Sequence, residues 1–417
     1  MKQPVAALSI ILFVVAAACF APREILSAPE TVQKSFPVKA GGRLVLDLDT
    51  GGELEISGWA KDEVAVSVEI GGRDAEAVKV EFDHVANRVE IHSYCEKRRG
   101  CSTRMRFTIS VPERFDVDVD SKGGAVEIEG VEGKIGGKTM GGEIDLVRVK
   151  GRVDLETMGG SVTARECEAD GEVSTMGGSI LIEDVKGNLK GSTMGGKVVY
   201  RNVTGRSSEC SDDEMNVSTM GGDIVIDKVD RKVRAKTFGG DIDVAGGEEV
   251  NVSTMGGDVN VDDAPGGATI STMGGDITVL SAGKFVKANT MGGDIDVKSV
   301  DGWVDVSTMG GDVEVAMTGD PKQGKRDVEI ESMGGDIVLT VPAGLSMAFD
   351  IDLQYTKGKE GRYRVESDFP MEKKETTEWE GRWGNKRRHI YGTGTVAGGD
   401  NLVRIKTVNG NITIRKD

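Results

Sequence analysis

The sequence is poor in proline, aromatic residues and histidine, and it has few cysteines. Nine prolines, three histidines, five cysteines and 5% aromatic residues accompany 59 glycines among 417 residues. Abundant glycine without proline or a Gly-x-y period excludes a collagen-like chain. Beyond the N-terminus no apolar run approaches the ~18 residues of a membrane-spanning helix. We therefore expect no transmembrane span.

The chain lacks an excess of positive charge, since 69 acidic residues outnumber 52 basic ones and the formal net charge is -17. Nucleic-acid binders need a basic surface to neutralise phosphates, and this chain would repel them. We expect no nucleic-acid partner.

The usual signatures of catalysis are missing too. His84, His92 and His389 are the only histidines, and no Gly-x-Ser-x-Gly elbow, zinc spacing or phosphate loop is found. We expect a non-enzymatic protein without a cofactor, apart from the calcium considered below. A β-helix polysaccharide lyase or hydrolase stays open as an alternative, because such enzymes work with surface carboxylates and basic groups.

The N-terminus has the pattern of a secretory signal peptide over residues 1–18. Lys2 precedes an apolar run from Val5 to Val15, and three alanines follow. Cys19 comes next, either as a lipidated first residue or simply beside a cleavage site. We expect an exported protein that is periplasmic, anchored to the outer membrane or extracellular.

A tetrapeptide of the form Thr/Ser-Met/Phe-Gly-Gly recurs eleven times. The step is 18 residues except for single steps of 26, 17 and 24. A fixed period of this length indicates stacked repeats that share one core. The tetrapeptides begin at Thr139, Thr157, Thr175, Thr193, Thr219, Thr237, Thr254, Thr272, Thr290, Thr308 and Ser332.

Apolar and polar residues alternate within each repeat. In the repeat that starts at Gly292, Ile295 and Val297 alternate with aspartate, and Val304 and Val306 do the same. Period-two alternation of β-branched residues predicts two short strands per repeat. We predict an all-β, single-stranded parallel β-helix (β-solenoid) of 18-residue rungs, right-handed by default and capped at both ends.

The departures from this pattern divide the chain into segments. We predict a signal peptide at 1–18, a linker at 19–35, an N-terminal β cap with degenerate rungs at 36–120, the regular solenoid at 121–354, a lateral excursion at 355–399 and a final rung at 400–417.

Four features resemble a known family. They are the segment Val111–Gly130, the serial TMGGDI rungs, the segment Val341–Leu353 and the closing TVNGNITI at Thr407–Ile414. Together they resemble the putative adhesin family of bacterial β-strand-repeat proteins, a domain of unknown function, from about Phe36 to the C-terminus. The resemblance is specific for the architecture. Our leading interpretation of the function is a cell-envelope protein that contacts a surface polymer, polysaccharide or protein through its long face, and the stacked rungs lead us to expect an elongated monomer. A self-associating envelope scaffold is a further alternative.

Aspartate follows the glycine pair in seven consecutive rungs. Turn capping explains an aspartate at this position, because Asp side chains accept backbone N–H groups at turns. The alternative is a row of calcium ions bound between the aspartates of adjacent rungs, since calcium prefers hard oxygen ligands. The residues are Asp223, Asp241, Asp258, Asp276, Asp294, Asp312 and Asp336.

The other cysteines suit an oxidising compartment. Cys95 and Cys101 flank a short segment between two predicted strands, so we expect a disulfide there. Cys167 stands where other rungs have valine, so it is either a buried small hydrophobe or the partner of Cys210.

The methionine of the tetrapeptide has an ambiguous direction. Alternation extended forward from Val306 turns Met309 outward, whereas alternation extended backward from Ile295 turns Met291 inward. We expect burial, because a stripe of exposed methionines would exceed the apolar patches that soluble monomers tolerate. The alternative is an exposed binding stripe, with Trp379 and Trp383 as its cover.

Overall fold

The computed structural model describes residues 30–97, 100–205, 214–381 and 386–417. The expected signal peptide, Cys19, Cys210 and Trp383 lie outside these ranges. All elements described are β-strands apart from one short 3-10 helix at Ala75–Ala77. No helix in the described part of the chain is long and apolar enough to cross a membrane.

The strands form two long sheets, here called sheet A and sheet B. The N-terminal strands are β1 (Glu30–Pro37), β2 (Gly42–Leu48), β3 (Glu53–Trp59), β4 (Glu63–Gly72), β5 (Val78–Val85), β6 (Arg88–Cys95), β7 (Thr103–Pro112) and β8 (Phe115–Ser121). Of these, β1, β3, β4 and β7 belong to sheet A and the others to sheet B.

In the regular region, odd-numbered strands belong to sheet A and even-numbered strands to sheet B. They are β9 (Val126–Glu129), β10 (Glu132–Thr139), β11 (Ile144–Val147), β12 (Lys150–Thr157), β13 (Val162–Arg165), β14 (Glu168–Thr175), β15 (Ile180–Glu183), β16 (Leu189–Thr193), β17 (Val198–Val203), β18 (Glu214–Ser218), β19 (Ile224–Val229), β20 (Lys232–Lys236), β21 (Ile242–Val244), β22 (Val250–Ser253), β23 (Val259–Ala264), β24 (Ala268–Ser271), β25 (Ile277–Ala282), β26 (Phe285–Asn289), β27 (Ile295–Val300), β28 (Trp303–Thr308), β29 (Val313–Met317), β30 (Val328–Ser332) and β31 (Ile337–Val341).

Six strands complete the C-terminal end. They are β32 (Met347–Thr356), β33 (Val365–Ser367), β34 (Glu372–Glu375), β35 (Arg387–Val396), β36 (Asn401–Val408) and β37 (Ile412–Lys416). Strands β33 and β37 belong to sheet A, and the other four belong to sheet B.

Neighbouring strands of the regular region are parallel and keep a constant register within each pair, apart from one shift between Val297 and Val300 in the β27–β29 pair. Ile295 of β27 pairs with Val313 of β29, an offset of one tetrapeptide step. The three irregular steps are absorbed between strands, so the pairing continues across them. The predicted all-β class, with long sheets of parallel strands, is confirmed. The handedness of the coil stays a prediction.

The core lies between the two sheets and runs the length of the molecule. Val304 and Val306 of β28 point into it, and Asp305 between them faces outward. Because fully burying such a side chain is worth ~1.5–3 kcal/mol, each rung gains most of its stability from stacking.

At each end of the molecule, one strand lies between two strands that come from other parts of the chain. Strand β2 lies between β6 and β8, and β36 lies between β30 and β32. The predicted final rung at 400–417 therefore stacks on the regular rungs, and β32 is the next layer of sheet B beyond it.

Antiparallel strands occupy three of the four described outer edges, and the fourth is the short strand β33, which pairs parallel with β37. Strand β1 pairs antiparallel with β4, and β35 pairs antiparallel with both β32 and β34. All four residues of β34, Glu-Lys-Lys-Glu, are exposed, and charge on an edge strand discourages pairing with another chain. The linker expected at 19–35 needs correction, because β1 begins at Glu30 and is already part of sheet A.

Candidate functional site

The Thr-Met-Gly-Gly corner joins sheet B of one rung to sheet A of the next. Thr308 continues the alternation of β28 and is buried, and Met309 is exposed. Gly310 is exposed as well, whereas Gly311 is buried. The inward–outward alternation is therefore interrupted at the first glycine, because Met309 and Gly310 both face outward. The forward extension of the alternation was correct, and the expected burial of the methionines was wrong.

The buried threonine hydroxyl fixes which residues of the corner face inward and which face outward. The Thr308 hydroxyl donates to the carbonyl of Gly293 in the preceding rung, 2.9 Å away, and accepts the N–H of Gly311 at 3.2 Å. A buried hydroxyl is tolerated only when it is hydrogen-bonded, so these contacts keep threonine inside and methionine outside. The equivalent buried residues are Thr139, Thr157, Thr175, Thr193, Thr219, Thr237, Thr254, Thr272, Thr290, Ser332 and Thr407.

The two glycines of the pair have different surroundings. A Cβ on Gly311 would lie 2.0 Å from the carbonyl oxygen of Gly293, so the second glycine lets neighbouring rungs approach. A Cβ on Gly310 would lie 3.8 Å from its nearest neighbour, which is ordinary contact. Stacking therefore requires the second glycine, and the first leaves open space beside the methionine.

The exposed side chains form a single row, here called the methionine stripe. Each of its ten methionines is 43–54% exposed and Phe238 is 47% exposed. At ~4.8 Å per rung, eleven positions extend over about 48 Å. The members are Met140, Met158, Met176, Met194, Met220, Phe238, Met255, Met273, Met291, Met309 and Met333.

The stripe has a defined beginning and end. Lys122 occupies the corresponding corner before Met140 and forms an ion pair with Asp49. Val408 occupies it after Met333 and is buried. The apolar row is thus confined to the regular rungs between these two corners.

The described part of the C-terminal excursion does not cover the stripe. Trp379 packs edge-on against Tyr355 with ring centroids 6.0 Å apart, and the Arg388 guanidinium lies 4.8 Å from its ring. Met333, at the nearest end of the stripe, is still 52% exposed. The expectation that Trp379 covers the methionines was therefore wrong, and Trp383 lies outside the described residues.

The aspartate ladder runs beside the stripe. The Asp294 carboxylate accepts the backbone N–H of Asp312 at 2.7 Å, and the same bond links every successive pair of the ladder. Asp336 ends the series by accepting the N–H of Asn411. These contacts fit turn capping between rungs.

Calcium binding along this ladder stays a prediction. Among the described residues no group of three or more His, Cys, Asp or Glu side chains is arranged to hold a metal ion. The ladder is exposed at the corner, and one oxygen of each carboxylate is already used by the backbone of the next rung.

The capping interpretation predicts a difference between two substitutions at Asp294. Asp294→Asn keeps an oxygen that accepts the Asp312 N–H and removes like-charge repulsion, so stability should change by less than about 0.5 kcal/mol. Asp294→Ala should cost about 1 kcal/mol. Urea unfolding with and without calcium measures both. A calcium-dependent rise in the wild-type midpoint that Asp294→Asn abolishes would favour the calcium ladder instead.

The three cysteines that the structure describes are Cys95, Cys101 and Cys167. Cys95 and Cys101 are joined by a disulfide, with Cα atoms 5.9 Å apart, at the end of β6. Cys167 is buried and free, and burial raises the pKa of its thiol. Cys210, the partner considered for it, lies outside the described residues.

A polar groove of about 700 Å³ lies on the outer face of sheet B, in the N-terminal half of the regular region. Three of its carboxylates have partners: Asp116 and Asp170 accept backbone N–H groups of the next rung, and Asp154 pairs with Arg152 of its own strand. The groove has the charged lining that a carbohydrate-cleaving site needs, but two of these carboxylates are engaged in stacking and the third in an ion pair.

The comparisons with known proteins bear on the family. Residues 212–415, slightly less than half of the chain, match the model of the family described as Toastrack DUF4097. No match was found among the curated proteins.

Solved structures of low identity also match. A “putative cell adhesion protein” from Clostridium sporogenes is 10% identical, with 93% of this chain and 100% of that chain covered and a TM-score of 0.19. A “putative adhesin” from Parabacteroides merdae is 14% identical, with 66% and 96% covered and a TM-score of 0.30. A “Putative lipid binding protein” from Parabacteroides distasonis is 12% identical, with 72% and 96% covered and a TM-score of 0.24. The resemblance to a β-strand-repeat family of unknown function is confirmed, and the family model places it on residues 212–415.

Proposed function

We propose that this protein is an exported, non-enzymatic binding protein of the bacterial cell envelope, and that it contacts a partner through the methionine stripe. One observation carries the proposal: eleven large apolar side chains stand about half exposed in one row. The largest apolar patch of a soluble monomer is usually about 300–600 Å² and is often functional.

The chemistry of the stripe favours a protein partner over a bare polysaccharide. Thioether groups are weak hydrogen-bond acceptors, and the first glycine of each corner adds no side chain. Sugar hydroxyls buried against this surface would lose hydrogen bonds to water without replacement. Flexible methionine side chains adapt to apolar partner surfaces of irregular shape.

Two alternatives receive less support. A lyase or hydrolase would use the groove of sheet B, whose carboxylates Asp116, Asp154 and Asp170 are engaged by neighbouring groups. An end-to-end scaffold would need open sheet edges, yet three of the four described outer strands are antiparallel to their neighbours and β34 is fully charged. The one parallel edge strand, β33, is only three residues long. A monomer that binds through its long side fits these features best.

The test uses two triple variants at Met273, Met291 and Met309. Replacement of all three by glutamine keeps the side-chain length but makes this part of the stripe polar. Replacement by leucine keeps it apolar. Burying the exposed half of three methionines is worth about 3 kcal/mol, and part of this is offset by the cost of ordering the interface. We therefore expect the glutamine variant to bind at least tenfold more weakly, and the leucine variant to bind like the wild type.

Binding is measured by co-sedimentation of the labelled protein with isolated cell envelopes, before and after protease treatment of the envelopes. Loss of binding after protease treatment supports a protein partner, whereas unchanged binding would point to a polysaccharide. Equal binding of the glutamine variant and the wild type would overturn the stripe as the contact face. Methionine-dependent self-association in analytical ultracentrifugation would favour the scaffold.

A further inference from the structure

The stripe is a row of sulfur atoms as well as an apolar surface. Its ten thioethers fall into two runs of five, separated by Phe238. Within each run, adjacent rungs are joined by parallel pairing that ends one or two residues before the methionine, as at Thr139–Thr157 and Ser253–Ser271. Consecutive methionines are therefore neighbours at the rung spacing of ~4.8 Å. The runs are Met140, Met158, Met176, Met194 and Met220, then Met255, Met273, Met291, Met309 and Met333.

We propose that this row binds soft monovalent cations of the Cu(I) and Ag(I) class, with each ion held between thioether sulfurs of adjacent rungs. The site is the same stripe, but its ligand and its chemistry are different from those of the proposed partner contact. Either activity can therefore be present without the other.

The spacing of the rungs suits two-coordinate binding. A zinc–thiolate bond is about 2.3 Å long, and at a similar metal–thioether distance an in-line pair of sulfurs would span about 4.6 Å. This is close to the ~4.8 Å between rungs. Methionine has three rotatable bonds to correct the difference. Because each side chain is about half exposed, an ion reaches the sulfurs without any movement of the strands.

The donor set at the corner selects the class of ion. Thioethers are soft ligands that suit Cu(I), whereas calcium and magnesium require several oxygen ligands. The Thr308 hydroxyl bonds to Gly293 and Gly311, and one oxygen of Asp294 accepts the N–H of Asp312. The second carboxylate oxygen is a hard donor, so sulfur is the soft atom that the corner presents to solvent.

The charge beside the stripe favours a cation and differs between the two runs. The second run is flanked along its length by the aspartate ladder. The corresponding positions beside the first four methionines are Glu143, Ser161, Ser179 and Lys197. Because a row of like charge raises the local concentration of counter-ions, the second run should saturate at a lower ion concentration than the first.

The test follows the methionine methyl groups by NMR during titration with silver nitrate in a chloride-free buffer. The protein carries ¹³C-methyl methionine and the substitutions Cys19→Ser, Cys167→Val and Cys210→Ser, because free thiols also bind silver. We expect the stripe signals to shift, those of the second run first. The signals of four buried methionines should stay in place: Met105, Met215, Met317 and Met347.

A five-fold Met→Leu variant of the second run is expected to bind about half as many silver ions. It keeps the stripe apolar, so its co-sedimentation with cell envelopes should not change, and failure of one proposal is distinguishable from failure of the other. The metal proposal is overturned if stripe signals shift no more than those of free methionine at equal concentration. It is equally overturned if the leucine variant binds as many ions as its parent.

Discussion

Replacing Gly311 by alanine is expected to destabilise the protein by about 3 kcal/mol or more, whereas the same change at Gly310 is expected to be neutral or slightly stabilising. The new Cβ at Gly311 would lie 2.0 Å from the Gly293 carbonyl oxygen, a backbone atom that moves only if the rungs separate. At Gly310 the nearest atom is 3.8 Å away. Neither glycine has a left-handed φ. The difference in expected stability between the two variants therefore comes only from the space available for the new Cβ.

The measurement is urea unfolding of both variants and the wild type, with hydrogen exchange in β27 and β29. Because each rung contacts only its neighbours, the loss should concentrate in the strands beside the altered corner. Equal stability of the two variants would contradict the assignment of stacking to the second glycine alone.

Replacing Arg326 by leucine is the second change with a large expected cost, about 3 kcal/mol. Its side chain is only 1% exposed. The guanidinium donates to the Thr318 carbonyl at 2.7 Å and to the Gln323 carbonyl at 3.0 Å, both inside the 24-residue step. Leucine would leave both carbonyls without this donor and would loosen the insertion. The ion pair with Asp301 adds little, because Asp301 is about half exposed.

The matched control is Arg404→Ala. Arg404 also pairs with carboxylates, but its side chain is 46% exposed, and the change should cost less than about 1 kcal/mol. For both variants we would measure the urea unfolding midpoint and the hydrogen exchange of residues 318–327. An Arg326→Leu protein as stable as Arg404→Ala would show that the buried guanidinium does not hold the insertion.

The sequence pattern was sufficient for the class of fold. The tetrapeptide period and the alternation around Val304 and Val306 predicted stacked parallel strands, because a short repeat buries its apolar face only against its neighbours. The ends were not predictable in the same way. The position of β36 between β30 and β32 depends on pairing between segments that are distant in the sequence, and the repeat period does not predict such pairing.

The sequence predicted that the methionines form a row, and the tertiary structure showed that their side chains face outward. The repeat alone determined that ten methionines and one phenylalanine occupy equivalent corners. It left their direction open, because two glycines without side chains interrupt the alternation on which such an inference depends. The tertiary structure decided it: the Thr308 hydroxyl finds the Gly293 carbonyl only once two rungs are stacked. That contact between rungs turns threonine inward and leaves the methionines facing solvent.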